Sequence, residues 1–212
     1  INMKTFLTFI ALAFSSLAIA GFEGVITTEV LNNGTRISTT WFIGKDRLKL
    51  HLQYKVNEDT IFVDFLLSKG SDVMTIVTDS KVYKGYSSVE KSTISSELNF
   101  ENLAFKNHEN KDSNEIKYQG SNNQYHCAIW ILDLDIDLFD YAPFFKADPA
   151  FHLIANHRLK GFPKNSLLTN HNGELIYSST VTNIIHQKLS ETDFEIPNGF
   201  KERELVELEY QK

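Results

Sequence analysis

A single cysteine, Cys127, is all this chain of 212 residues contains, so no internal disulfide can staple it. That excludes the small disulfide-dense scaffolds and leaves stability to a hydrophobic core. Prolines number only four and hydrophobic residues make up 42%, a balance that excludes a low-complexity disordered chain. Basic runs and basic helix faces are missing too: lysines and arginines stand singly, and the net charge is −6. Nucleic acid and anionic membrane surfaces are therefore not the expected partners. Beyond residue 20 no apolar run approaches the ~20 residues of a membrane-spanning helix, so the mature chain should carry no transmembrane segment. Gly-x-Ser-x-Gly elbows, phosphate-binding glycine loops and dinucleotide fingerprints are all absent, and neither catalytic residues nor a cofactor are expected.

What the chain does have begins at its start. Met3-Lys4-Thr5 is a short basic opening, residues 6–17 are apolar, and Ala18-Ile19-Ala20 is the small-x-small pattern accepted by signal peptidase. Residues 1–20 are thus expected to be a cleaved signal peptide, with Ile1 and Asn2 ahead of the initiator Met3. Residues 21–212 are expected to form one domain beginning at Gly21, in the periplasm or secreted. No cysteine follows the cleavage point, so no lipid anchor is expected there.

Period-two alternation dominates the remainder. In residues 47–56, Leu48, Leu50, Leu52, Tyr54 and Val56 point one way, and Arg47, Lys49, His51, Gln53 and Lys55 the other. At ~3.3 Å per residue this strand is roughly 33 Å long, a length suited to a large curved sheet or barrel. Asn33-Gly34 separates two further strands and is the preferred pair for a type I′ hairpin. Turn residues at hairpin spacing extend the pattern into a meander of about six antiparallel strands through Tyr86. After that, residues 87–98 read as a weak helix, 107–113 as a polar loop, and 115–118 and 125–137 as strands. Asp148-Pro149 reads as an N-cap and first helical residue, opening a short helix that ends near Gly161. Strands at 166–169, 174–188 and 202–210 complete the prediction.

Three clusters invite a chemical reading. Asp133, Asp135, Asp137 and Asp140 are closely spaced, but the first three alternate with Leu132, Leu134, Ile136 and Leu138. They read as the wet face of a strand, because a calcium loop needs glycine-permitted curvature and carbonyl ligands. His152 and His157 are five residues apart, about 140° on a helix, and do not form a zinc pair. Cys127 and its neighbour His126 point to opposite faces of a strand, which leaves the thiol as a packing residue. No metal site is expected.

Several short segments, taken together, resemble a known family. They are Phe22-Glu23-Gly24-Val25-Ile26, Gly44-Lys45-Asp46-Arg47-Leu48, Asp79-Ser80-Lys81-Val82-Tyr83, Tyr125-His126-Cys127, Lys160-Gly161-Phe162-Pro163, and the ending from Asp193 to Phe200 around Pro197. The chain resembles a bacterial exported domain family of unknown function, similar in plan to the outer-membrane lipoprotein carrier and receptor proteins. The resemblance implies a mainly β fold with a few short helices: a strongly curved antiparallel sheet, an incomplete barrel, covered by helices. It brings no catalytic residues with it. Residues 90–121 are longer and more polar than that plan requires.

The expected function is that of a non-enzymatic binding or carrier protein for an apolar ligand, either a lipid or a lipoprotein acyl chain. Leu48, Leu50, Leu52 and Tyr54 would supply the dry wall, and Phe139, Phe144, Phe145 and Phe151, with Tyr141, the lid. The same aromatics equally suit a core plug, since a lid and a plug share one pattern. The alternative is a structural or interaction module of the bacterial envelope without a small ligand, presenting a sheet edge or the Asp face to another envelope protein.

Overall fold

The computed structural model describes residues 21–203 apart from 57, 82, 94–99, 101–102, 110–114 and 147. The expected signal peptide therefore lies outside the described residues. Eleven strands form one open antiparallel sheet, an incomplete-barrel-like arrangement. The first six are a meander: β1 (Gly24–Asn32), β2 (Thr35–Ile43), β3 (Arg47–Val56), β4 (Asp59–Ser68), β5 (Val73–Asp79) and β6 (Lys84–Glu90). The others are β7 (Ala104–Glu109), β8 (Glu115–Ser121), β9 (Tyr125–Leu132), β10 (Phe162–Asn170) and β11 (Leu175–His186). Their spatial order is β6-β5-β4-β3-β2-β1-β11-β10-β9-β8-β7, so the gap in the barrel falls between β6 and β7, which are consecutive in the chain.

Local chemistry accounts for most of these elements. Asn33 and Gly34 have φ of 47° and 82°, the left-handed pair a tight hairpin needs, and they set Asn32 opposite Thr35. Alternation in β3 buries Leu48 and Leu50 on the inner face and leaves Gln53 and Lys55 exposed. Pro163 cannot donate to a ladder, and the β9–β10 register slips between Pro163 and Asn165. Phe105 of edge strand β7 lies over Gly120 of β8, so that a Cβ there would be 2.8 Å from its ring.

Three expectations need correction. Residues 133–137 are not strand: β9 ends at Leu132, where its partners β10 and β8 begin at Phe162 and Glu115. With no ladder to continue, the chain curls through Leu134 N–H to Leu132 O (2.9 Å) and Ile136 N–H to Leu134 O (2.6 Å). Ser87–Glu90 is not helical but completes β6, because β5 pairs with it as far as Glu90, and Lys91–Thr93 forms a 3-10 turn; the rest of the expected helix, 94–98, lies outside the described residues. β7 occupies part of the expected polar loop; with Phe105 as its inward apolar anchor, it offers no alternation to read. The expected last strand reaches the described residues only at 202–203. There Tyr86 N–H bonds Lys201 O (3.1 Å), and Arg203 N–H bonds Tyr86 O (2.8 Å). This segment occupies the free edge of β6, which would otherwise invite pairing with another chain.

Among the described residues there is one α-helix, α1 (Pro149–His157), with 3-10 turns at Lys91–Thr93, Ala142–Phe145 and Glu191–Phe194. Among the described residues no helix is long and apolar enough to cross a membrane. Asp148 caps α1 through its side chain, which accepts from Ala150 N–H at 2.7 Å, and Pro149 occupies the first turn as expected. Arg158 then ends the helix in a left-handed conformation, φ 50°. The core lies between the inner sheet face and α1 with the preceding segment: Ile26, Leu48, Ile129, Leu138, Leu153 and Ile154 are fully buried.

Gly161, in the turn from α1 to β10, has φ 106° and donates its N–H to Ile136 O at 2.9 Å. A Cβ there would lie 2.4 Å from Leu132 O, a backbone atom that cannot step aside. Gly161→Ala is therefore expected to cost about 2 kcal/mol or more in urea unfolding. Wild-type stability in that variant would contradict the tight approach of this turn to β9.

Candidate functional site

Inner-facing residues line up in rows across the sheet. Leu50, Trp41 and Ile26 form one row on β3, β2 and β1. Leu52, Thr39, Thr28 and Val181 form the next, ending on β11. Ile37, Val30, Ser179 and Ser166 follow, then Asn32, Tyr177, Leu168 and Cys127. Between these rows and the segment from Phe144 to Phe151 lies a cavity of about 560 Å³. That volume falls within the usual 300–1,000 Å³ of small-ligand sites.

Aromatic contacts hold the roof to the floor. Trp41 stacks on Phe151 at 5.1 Å between ring centroids, and meets Phe145 at 5.3 Å and Phe162 at 5.7 Å edge-on. Phe145 and Phe151 are themselves 5.0 Å apart. Each such pair adds roughly 0.5–1.5 kcal/mol beyond the area it buries. The wall toward β3, β4 and β5 is apolar, with Leu50, Leu52, Phe65 and Met74.

The structure brings together five of the eight residues singled out from sequence: Leu50, Leu52, Phe144, Phe145 and Phe151 line the cavity. Leu48 does not, because it is fully buried in the core between its cross-strand partners Ile43 and Leu67. Tyr54 lies further along β3, opposite Ile61 and off the cavity wall. Phe139 is also off it, with the Arg158 guanidinium 4.7 Å from its ring centroid. Tyr141 is a core residue, not part of the roof; its hydroxyl is buried without a hydrogen-bond partner among the described residues.

Sequence reasoning missed Trp41 and the polar lining. Thr28 and Thr39 bond hydroxyl to hydroxyl, and Trp41 Nε1 donates to Thr28 Oγ1 at 3.3 Å. The Tyr177 hydroxyl, bonded also to Ser179, donates to Asp148 Oδ2 and so ties the start of α1 to β11. Alternation within β2 does place Trp41 and Thr39 on one face. That this face meets β3's dry face, and that β11 lies beside β1, is visible only in the register.

Asp148 is half-buried at the cavity wall. Protein surrounds its carboxyl, and this desolvation pushes its pKa up, against the lowering effect of bonds from Tyr177, Ala150 N–H and Phe151 N–H. Burial first, and the Asp148 charge second, hold the Tyr177 phenol protonated well above its ordinary range. Burial, with a smaller contribution from Asp148, pushes the Cys127 thiol up to about 12. Such a thiol is a poor nucleophile at neutral pH. Among the described residues no three His, Cys, Asp or Glu side chains converge to hold a metal ion.

No family model and no curated protein matches the chain. Among solved structures, an uncharacterised conserved protein from Thermus thermophilus superposes with a TM-score of 0.52 at 8% identity, covering 91% of this chain and 98% of the other. A structure of PNGF-II superposes with a TM-score of 0.45 at 13% identity over 86% of this chain and 31% of that one. At these identities the first shows a shared fold alone; the second supports no argument.

Two measurements probe this environment. A carboxyl whose folded pKa lies above its unfolded value of about 3.9 keeps its proton longer in the native state. Its stabilising contribution is present below that unfolded value and lost as pH rises through the folded one. Asp148→Asn keeps a capping side chain but does not titrate, so the stability of the variant relative to wild type should grow across that rise, read by thermal melts at stepped pH. A difference that shrinks as pH rises would mean that the hydrogen bonds outweigh desolvation. Cys127 should label only on unfolding when the native protein meets a thiol reagent at neutral pH, and Cys127→Ala should cost on the order of 1 kcal/mol. Rapid native labelling would contradict its burial.

Proposed function

We propose that this protein is an exported, non-enzymatic binding or carrier protein for an apolar ligand, a lipid or the acyl chain of a lipoprotein, acting in the periplasm or outside the cell. The observation that carries this reading is the cavity of about 560 Å³ between Leu50, Leu52, Phe65 and Met74 on the sheet and Phe144, Phe145 and Phe151 opposite. An acyl chain gains about 0.8 kcal/mol per methylene removed from water. Twelve carbons thus contribute on the order of 9 kcal/mol before the costs of ordering the chain and the protein. The open sheet with a helix over its inner face supports the likeness in plan to lipoprotein carriers. A buried, hard-to-ionise Cys127 supports a role without nucleophilic chemistry.

Purification without detergent, solvent extraction and mass spectrometry of the extract tests the reading, and a single acyl-bearing species at near-stoichiometric yield is expected. Trp41 lines the cavity, whereas Trp130 alternates with buried Ile129 and Ile131 and meets Lys117 at 5.0 Å on the other face. Apolar ligands should therefore change the fluorescence of Trp41 alone, a response that survives Trp130→Phe. Leu50→Asp, which sets a carboxylate against the chain, should abolish that response and lower stability by about 2 kcal/mol or more. An empty extract with no Trp41 response to fatty acids or lipopeptides would favour the envelope interaction module instead. Intact mass of the envelope-borne protein should begin at Gly21; an uncleaved species starting at Met3 would contradict export by a removable leader.

A further inference from the structure

The cavity is not evenly lined. Its β3–β5 side is wholly apolar, while hydroxyls gather where β2, β1 and β11 meet: Thr39, Thr28, Ser179 and Tyr177. Asn32 and Asn33 add amides near the same seam. Thr28 is 2% exposed, Thr39 5% and Ser179 7%, so these polar residues are at least as buried as Leu50, which is 7% exposed. Valine has the shape of threonine, and burying a hydroxyl is unfavourable unless it is hydrogen-bonded; the bonds to Trp41 and Asp148 account for only part of this polar strip. Together these four hydroxyls retain acceptor capacity beyond the bonds described above.

A carboxyl and an amine line the wall: Asp148, bonded to Tyr177 at the polar end, and Lys146, two residues earlier. The Tyr177 O–H is already given to Asp148, so an anionic head placed there would meet oxygen lone pairs and a second carboxyl in place of a free donor. A cationic head would face Lys146.

We propose that the cavity takes an amphiphile with an uncharged, hydroxyl- or amide-bearing head, seated against Thr28, Thr39, Ser179 and Tyr177 with its chain toward Leu52, Phe65 and Met74, and discriminates against free fatty-acid carboxylates. This rests on the reading of the cavity as an apolar-ligand site and names the class of ligand it prefers.

Titration of the full chain below the critical micelle concentration tests it, with Trp41 fluorescence in Trp130→Phe and calorimetry on the unaltered protein as readouts. Four probes are compared: N-phenyl-1-naphthylamine, 1-lauroylglycerol, laurate and dodecylamine. At neutral pH the monoacylglycerol should bind about tenfold tighter than laurate, and tighter than the amine. Tyr177→Phe should weaken the monoacylglycerol about fivefold more than it weakens the naphthylamine, while Asp148→Asn should narrow the gap by strengthening laurate. Laurate or the amine binding as tightly as the monoacylglycerol would overturn the head-group assignment while leaving the apolar site standing. Failure of all four probes, the naphthylamine included, would overturn the apolar-ligand reading itself. Should either variant unfold, the ranking of the four probes on the unaltered protein decides the matter alone.

Discussion

Strand β1 bonds on one side to its hairpin partner β2 and on the other to β11, setting His186 opposite Gly24 and Tyr177 opposite Asn32. This one ladder joins the meander β1–β6 to the run β7–β11; without it the molecule would be two sheets with apolar faces exposed. Its two strands come from opposite ends of the described chain, so a large loop must close before the pairing is repaid. Gly24 marks how closely the strands approach, since a Cβ there would lie 2.1 Å from Ile185 O. A register slip between Thr27 and Thr28 accommodates the join.

The cavity straddles that seam. Thr28 and Val30 come from β1, Tyr177 and Ser179 from β11, and the bond from Tyr177 to Asp148 carries the seam's position to the start of α1. Trp41, one strand away, fixes the same roof by stacking on Phe151. Two anchors of different chemistry, one polar and one aromatic, thus hold a nine-residue helix too short to be stable alone in water. The space left beneath it remains because the lining aromatics are engaged with one another and cannot collapse inward.

This arrangement also separates the two ends of the molecule's polarity. Large apolar groups on β3, β4 and β5 face aromatic groups on the roof, while the hydroxyls lie at the seam and Lys146 and Asp148 just before the helix. Barrel closure would have buried every strand edge; the open form instead leaves β6 and β7 as edges, the first occupied by residues 201–203.

The sequence by itself determined the strands whose patterns are local: alternation from Arg47 to Val56, Asn33-Gly34 as a tight turn, and Asp148-Pro149 as a helix start all report interactions between near neighbours. It identified Leu50, Leu52, Phe144, Phe145 and Phe151 by their hydrophobicity, yet could not separate them from Leu48, Tyr54 and Phe139, which carry the same pattern. Only the tertiary structure decided that Leu48 is core and Leu50 is wall, because the difference lies in what crosses the sheet at each level. Likewise β7 has little alternation to read, and β9 stops at Leu132 because its partners begin there, a fact held by other segments of the chain. The polar strip was illegible for the same reason. Thr28, Thr39, Ser179 and Tyr177 are unremarkable one by one, and become a site only when β1 and β11 meet, a long-range pairing whose register no local pattern encodes.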